Sequence, residues 1–130
     1  MPSDVVAFLS VDEVLAIHER LLDRFGGPPG VRDVGLLESA LYRPQTGYYA
    51  DLAEMAAALF ESLLMNHPFL DGNKRVGFFA TDVFLRINGW RFAVDAHEAH
   101  RFLIGLLERG ECDHARLLPW IRASIERHRR

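Results

Sequence analysis

Leu52-Ala53-Glu54-Met55-Ala56-Ala57-Ala58-Leu59-Phe60-Glu61-Ser62-Leu63-Leu64-Met65-Asn66, then His67-Pro68-Phe69-Leu70-Asp71-Gly72-Asn73, then Lys74-Arg75-Val76-Gly77-Phe78-Phe79-Ala80 on to Ile87, is the stretch that decides the fold. In its first part Leu52, Met55, Ala56, Leu59, Phe60 and Leu63 recur with the 3.6-residue period of a helix, after Asp51 and Glu54 in capping-box positions. Small alanines on several sides predict that this helix is the central, most buried one. Pro68 and Gly72 both forbid simple continuation, so His67 to Asn73 is a break. A further helix begins near Asn73 or Lys74. Val76, Phe79, Ala80, Val83, Phe84 and Ile87 form its apolar stripe, and Asn88-Gly89 closes it.

Outward from this pair the same punctuation recurs. Ser10-Val11-Asp12-Glu13 is a capping box with Leu9 and Val14 as its hydrophobic staple. The helix it opens runs to Gly26-Gly27-Pro28-Pro29. A shorter helix starts near Asp33, carries Leu36, Leu37, Ala40 and Leu41 inward, and ends at Pro44 because the residue before a proline is pushed from helical geometry. Gln45 to Ala50 reads as an exposed loop or short flap. Trp90 to Val94 is a short extended stretch, too isolated to make a sheet. Asp95 with Glu98 opens a helix ending at Gly110. The segment from Asp113 holds Pro119 and predicts a helix that starts or kinks there. The reading is an all-α domain, a compact bundle of about six helices spanning residues 1–130 as one unit.

Composition bounds the function. A chain of 130 residues suits one domain, and 49% hydrophobic with 25% charged residues is ordinary for a globular chain. Fifteen basic against eighteen acidic side chains give a net charge of −3, which argues against nucleic-acid binding by bulk positive charge. A single cysteine, Cys112, permits no internal disulfide. No apolar run approaches the ~18 residues of a membrane span. Residues 1–10 carry no Lys or Arg ahead of their apolar positions and do not read as a secretory signal, so the expectation is a cytoplasmic protein.

The chemistry sits in the break. His67, Asp71, Asn73, Lys74 and Arg75 place a titratable base, a hard-metal ligand, an amide and two cations at a helix N-terminus, where free N–H groups and the dipole favour an anion. Two cations in a first helical turn oppose that dipole, so something negative should compensate. A polyphosphate with its metal is the obvious candidate. Asp71 suits Mg²⁺, His67 has the ordinary pKa to accept a hydroxyl proton at neutral pH, and Gly72 lets the backbone approach phosphate. The spacing is not that of a Walker A loop. Under the plainer alternative, Asp71 or Asn73 caps the next helix and Lys74-Arg75 is solvated.

The stretch from His67 to Arg75 resembles the signature of the Fic/Doc superfamily in its death-on-curing (Doc) toxin form. Phe8-Leu9-Ser10, Gly30-Val31-Arg32-Asp33, Gly35 to Leu41, Arg43-Pro44 and Asn88-Gly89 extend the resemblance over roughly residues 8 to 110. It implies a Fic-type helical fold in which His67 is the base, Phe69 a buried anchor, Asp71 the Mg²⁺ ligand, and Asn73, Lys74 and Arg75 hold nucleotide phosphates. Fic proteins that transfer AMP usually have glycine at the position of Lys74 and arginine at that of Phe78. Both departures are those of the Doc branch, which resembles protein kinases that phosphorylate elongation factor Tu. The implied function is therefore a toxin that moves the ATP γ-phosphoryl group to a Thr or Ser hydroxyl of a translation factor. The alternatives are AMP transfer to a protein hydroxyl, or a catalytically weak antitoxin-binding module. Val76-Gly77 stands where Doc proteins often have Thr-Ala.

Fic relatives commonly carry an inhibitory [ST]-x-x-x-E-[GN] helix. No Ser or Thr of this chain has Glu four residues later, so the resemblance implies restraint by a Phd-like antitoxin acting from outside. Among the remaining features, Tyr48 and Tyr49 are candidates for a flap that grips a target peptide by strand addition, or are ordinary loop aromatics. Arg32 and Asp33 cap the second helix or touch nucleotide or target. His18 is expected to be hydrogen-bonded and partly buried. His97 and His100 have zinc spacing without a second ligand pair and are expected to be solvated. Arg127-His128-Arg129-Arg130 reads as a frayed helix end.

Overall fold

Five of the six helix starts are realised by the side chain that caps them. In the computed structural model, which describes residues 5–128, α1 spans Val11–Phe25. The Ser10 hydroxyl accepts from Glu13 N, and Glu13 Oε1 accepts from Ser10 N. Leu9 and Val14, the two halves of the staple, are both buried. Asp33, Asp51, Asp95 and Asp113 cap α2 (Val34–Tyr42), α3 (Leu52–Asn66), α5 (Ala96–Glu108) and α6 (His114–Ser124) by accepting the N–H three residues on. α4 (Asn73–Arg86) alone of the six starts on a glycine with no side-chain cap. Six helices make the fold all-α, as expected.

α3 is the central helix. Ala53, Ala56, Ala57, Ala58, Leu59, Phe60, Leu63 and Leu64 are buried along it, and α2, α4 and α6 pack around it. Its alanines remove bulk where neighbours approach, and α4 answers with Gly77, where a Cβ would stand 3.1 Å from the Phe60 ring. α4 is buried over a broader arc than the expected stripe, since Gly77, Phe78, Thr81 and Leu85 are buried as well.

Four expectations need correction. α2 does end ahead of Pro44, but not for the expected reason: Arg43 keeps helical geometry, and Arg43–Gln45 continue as a 3₁₀ turn with Pro44 in its first turn, where a missing N–H costs little. α6 does not start at Pro119 but at His114, so of the two expected outcomes the start there is overturned. Pro119 lies exposed in the helix, and the carbonyl it leaves unbonded is that of exposed Ala115. Trp90–Phe92 (β1) is not isolated, because Ile125–Arg127 (β2) pairs with it antiparallel, Trp90 opposite Arg127 and Phe92 opposite Ile125. The C-terminal residues are therefore not a frayed helix end. Arg91 pairs with Glu126 and Arg127 lies over Trp90, so cross-strand partners more than thirty residues away hold the ribbon. Arg129 and Arg130 of that stretch lie outside the described residues.

Candidate active site

His67 is where the site begins. It ends α3 in the left-handed region at φ 49°, the one positive-φ residue other than glycine among those described. Such a conformation is strained for a residue with a Cβ, and strain of this kind gathers at functional sites. Arg32 holds it there: its Nε donates to His67 O and its Nη2 to Asn66 O, both at 2.6 Å. The guanidinium thereby satisfies two carbonyls that the end of α3 leaves free. The imidazole itself is exposed.

The loop after His67 is clamped along its length. Pro68 O accepts from Arg32 N and Asp33 N, and Leu70 N donates to Gly30 O, so residues 30–33 run beside residues 68–70 as a bridge. Phe69 is 1% exposed and stacks on His18 of α1, ring centres 4.0 Å apart, which makes it the anchor the motif implies. The Asn73 side chain is engaged within the loop itself. Its Oδ1 accepts from Phe69 N and its Nδ2 donates to Phe69 O, so both ends of the amide are committed to closing the loop.

The surface this leaves is charged and open. Gly72 starts α4 at φ 80°, a backbone suited to glycine, and neither Asp71 nor Asn73 caps the helix. The first-turn N–H groups are therefore available to an anion. Lys74 and Arg75 are exposed on that turn, and among the described residues neither has a carboxylate within ion-pair distance. Arg75 instead lies 4.4 Å above the half-exposed ring of Phe25. Asp71 is exposed, its carboxylate against Gly27, whose Cβ would meet Asp71 Oδ2 at 2.8 Å. Among the described residues, a base, a carboxylate and two cations without ion-pair partners, and an uncapped helix start thus lie together at the loop and the first turn of α4.

Phe78 brings no polar or charged group to this surface, although it lines the small cavity beside Lys74 and Arg75. It is buried and stacks on Phe92 at 4.9 Å. His100 is exposed on α5 and lines a cavity of about 40 Å³ with Lys74, Arg75 and Phe79, while His97 is exposed beside it. Tyr48 is 82% exposed, whereas Tyr49 is tied down: its hydroxyl accepts from Arg43 Nε at 2.7 Å and its ring stacks on His114. Burial opposes the charge on Arg43, but bonds to Glu61 and Tyr49 outweigh it and raise its pKa above the ordinary value. Residues 46–50 form bends, with no strand.

Sequence reasoning missed the clamps. Arg32 caps α3 and not α2, which Asp33 caps by itself. His18 is hydrogen-bonded and buried as expected, but its partner, Asp71 O, was not foreseen. The one available signal for Arg32 was the need for a donor at a helix end that lacks glycine.

A family model described as the Fic/DOC family matches residues 8–85. The chain is 47% identical over 76 residues to "Toxin Doc" of Mycolicibacterium smegmatis, covering 55% of this chain and 58% of that protein. It is 34% identical over 85 residues to "Protein kinase doc" of Escherichia phage P1, covering 62% of this chain and 68% of that one. The match thus spans less than two thirds of the mycobacterial relative's length. With the loop from His67 to Arg75 inside the matched region, this chain belongs to the Fic/DOC family.

Proposed function

We propose that the chain is the toxin of a toxin–antitoxin pair and acts as a protein kinase. It transfers the γ-phosphoryl group of ATP to a Thr or Ser hydroxyl of a cytoplasmic translation factor of the elongation factor Tu kind. The observation that carries this reading is the exposed His67, held in a strained backbone, next to the uncapped start of α4 with its unpaired Lys74 and Arg75. An empty helix start gains nothing from two cations, so the pair makes sense with a polyphosphate bound. The residues fit Mg²⁺–ATP: Asp71 offers a free carboxylate to the metal, and Gly72, Lys74 and Arg75 face the phosphates. Bound there, Mg²⁺ would neutralise charge on the phosphates.

The protein's part is mostly positioning. His67 takes the proton of the target hydroxyl. The hydroxyl oxygen forms a bond to the γ-phosphorus as the bond from that phosphorus to the bridging oxygen breaks, and ADP leaves. Phe78, packed on Phe92, supplies no second clamp for distal phosphates, which favours presenting the γ and not the α phosphorus. Tyr48, exposed beside the anchored Tyr49, is available to a target segment. Restraint comes from a Phd-like antitoxin bound from outside.

Incubation with cell lysate and ATP labelled at either the α or the γ phosphate tests the reading. Protein labelled from γ only is the expected result, and labelling from α overturns it in favour of AMP transfer.

A further inference from the structure

α1 carries a buried polar residue where an apolar one would pack as well. His18 is 5% exposed, and its ring lies on Phe69. Burying an imidazole costs free energy unless it is hydrogen-bonded, and Leu or Phe would avoid that cost. The bond it makes joins Nε2 to the carbonyl oxygen of Asp71 at 3.1 Å. A carbonyl only accepts, so Nε2 carries the proton.

Asp71 is held a second time from the same side. Its carboxylate lies against Gly27, in the turn that follows α1, so closely that a Cβ there would stand 2.8 Å from Oδ2. In a trans peptide the carbonyl and the next N–H point in opposite directions. Holding Asp71 O against α1 therefore turns the N–H of Gly72, the residue that starts α4, away from α1. One hydrogen bond fixes both the backbone that presents the carboxylate and the first N–H of the anion site.

We infer that His18 is a positioning residue for the metal site at Asp71: through Nε2–H and the Asp71 carbonyl, α1 sets where that carboxylate is presented. This rests on the metal role proposed above for Asp71. His18 touches neither metal nor nucleotide and acts only through the loop.

Binding of Mn²⁺, a spectroscopic stand-in for Mg²⁺, in the presence of a non-hydrolysable ATP analogue tests this without turnover. His18→Phe keeps the stack and removes the donor, and His18→Gln keeps a donor at nearly the Nε2 position. Losing a partner that orients a metal ligand typically costs about 10–100-fold in metal affinity. His18→Phe is expected to weaken Mn²⁺ by at least about tenfold, His18→Gln to restore most of it, and His18→Phe to add nothing on top of Asp71→Asn. Unchanged Mn²⁺ affinity in His18→Phe, whatever happens to its melting temperature, overturns the inference and leaves Asp71 as the ligand. If Asp71→Asn itself leaves Mn²⁺ binding unchanged, the metal assignment falls and this inference with it. Should the Phe variant not fold, nitrogen-15 NMR of the wild type decides. The Nε2-protonated tautomer of His18 is required, and an Nδ1-protonated ring refutes the bond.

Discussion

Replacing His67 by glycine is expected to stabilise the fold while abolishing transfer. His67 sits at φ 49°, and a left-handed backbone costs a residue with a Cβ about 1–2 kcal/mol. Glycine adopts it freely, at the expense of roughly 0.5–1 kcal/mol through its looser unfolded chain. The imidazole is exposed, so its removal forfeits little packing. Alanine at the same position keeps the strain and also lacks the base, and so isolates the backbone effect. Relative to His67→Ala, His67→Gly should gain about 0.5–1 kcal/mol. With an m-value of about 2 kcal/mol/M, that moves the urea midpoint upward by about 0.3–0.5 M. Both variants should lose about 10²–10⁴-fold in phosphoryl transfer if His67 is the general base. Urea unfolding followed by circular dichroism, beside label transfer from γ-labelled ATP, measures both. A glycine variant no more stable than the alanine one would refute the strain, and retained transfer in either would refute the base.

Arg32→Ala frees the carbonyls of Asn66 and His67, each now 2.6 Å from the guanidinium. With the side chain exposed, the loss of stability should be about 1 kcal/mol, while transfer falls further than stability explains because His67 loses its anchor. Normal transfer in a folded Arg32→Ala protein would count against that anchoring. Gly77→Ala should destabilise by about 1 kcal/mol, or a few degrees of melting temperature: overpacking outweighs the gain in helix propensity. Phe60, which meets the new Cβ at 3.1 Å, is buried between Phe92 and Trp120 and has nowhere to move. A melting temperature that rises would show that the ring gives way.

The sequence by itself determined the helices and the inventory of the site. Capping bonds span three residues, as from Ser10 to Glu13 or Asp51 to Glu54, and helical periodicity spans four, so both are readable in a short window. The motif is local too, so His67, Asp71, Lys74 and Arg75 were all visible in it. The tertiary structure alone decided how that inventory is held. Arg32 reaches His67 across 35 positions and His18 reaches Asp71 across 53, and no local pattern chooses such partners. Asn73 shows the same division. Its place in the motif was legible, but an amide can donate and accept anywhere within reach. Only the folded loop, bringing Phe69 N and O to either end of that amide, commits it to structure. The ribbon of β1 and β2 likewise required the end of α6 to arrive beside Trp90, because a strand's partner is set by packing and not by the strand's own residues.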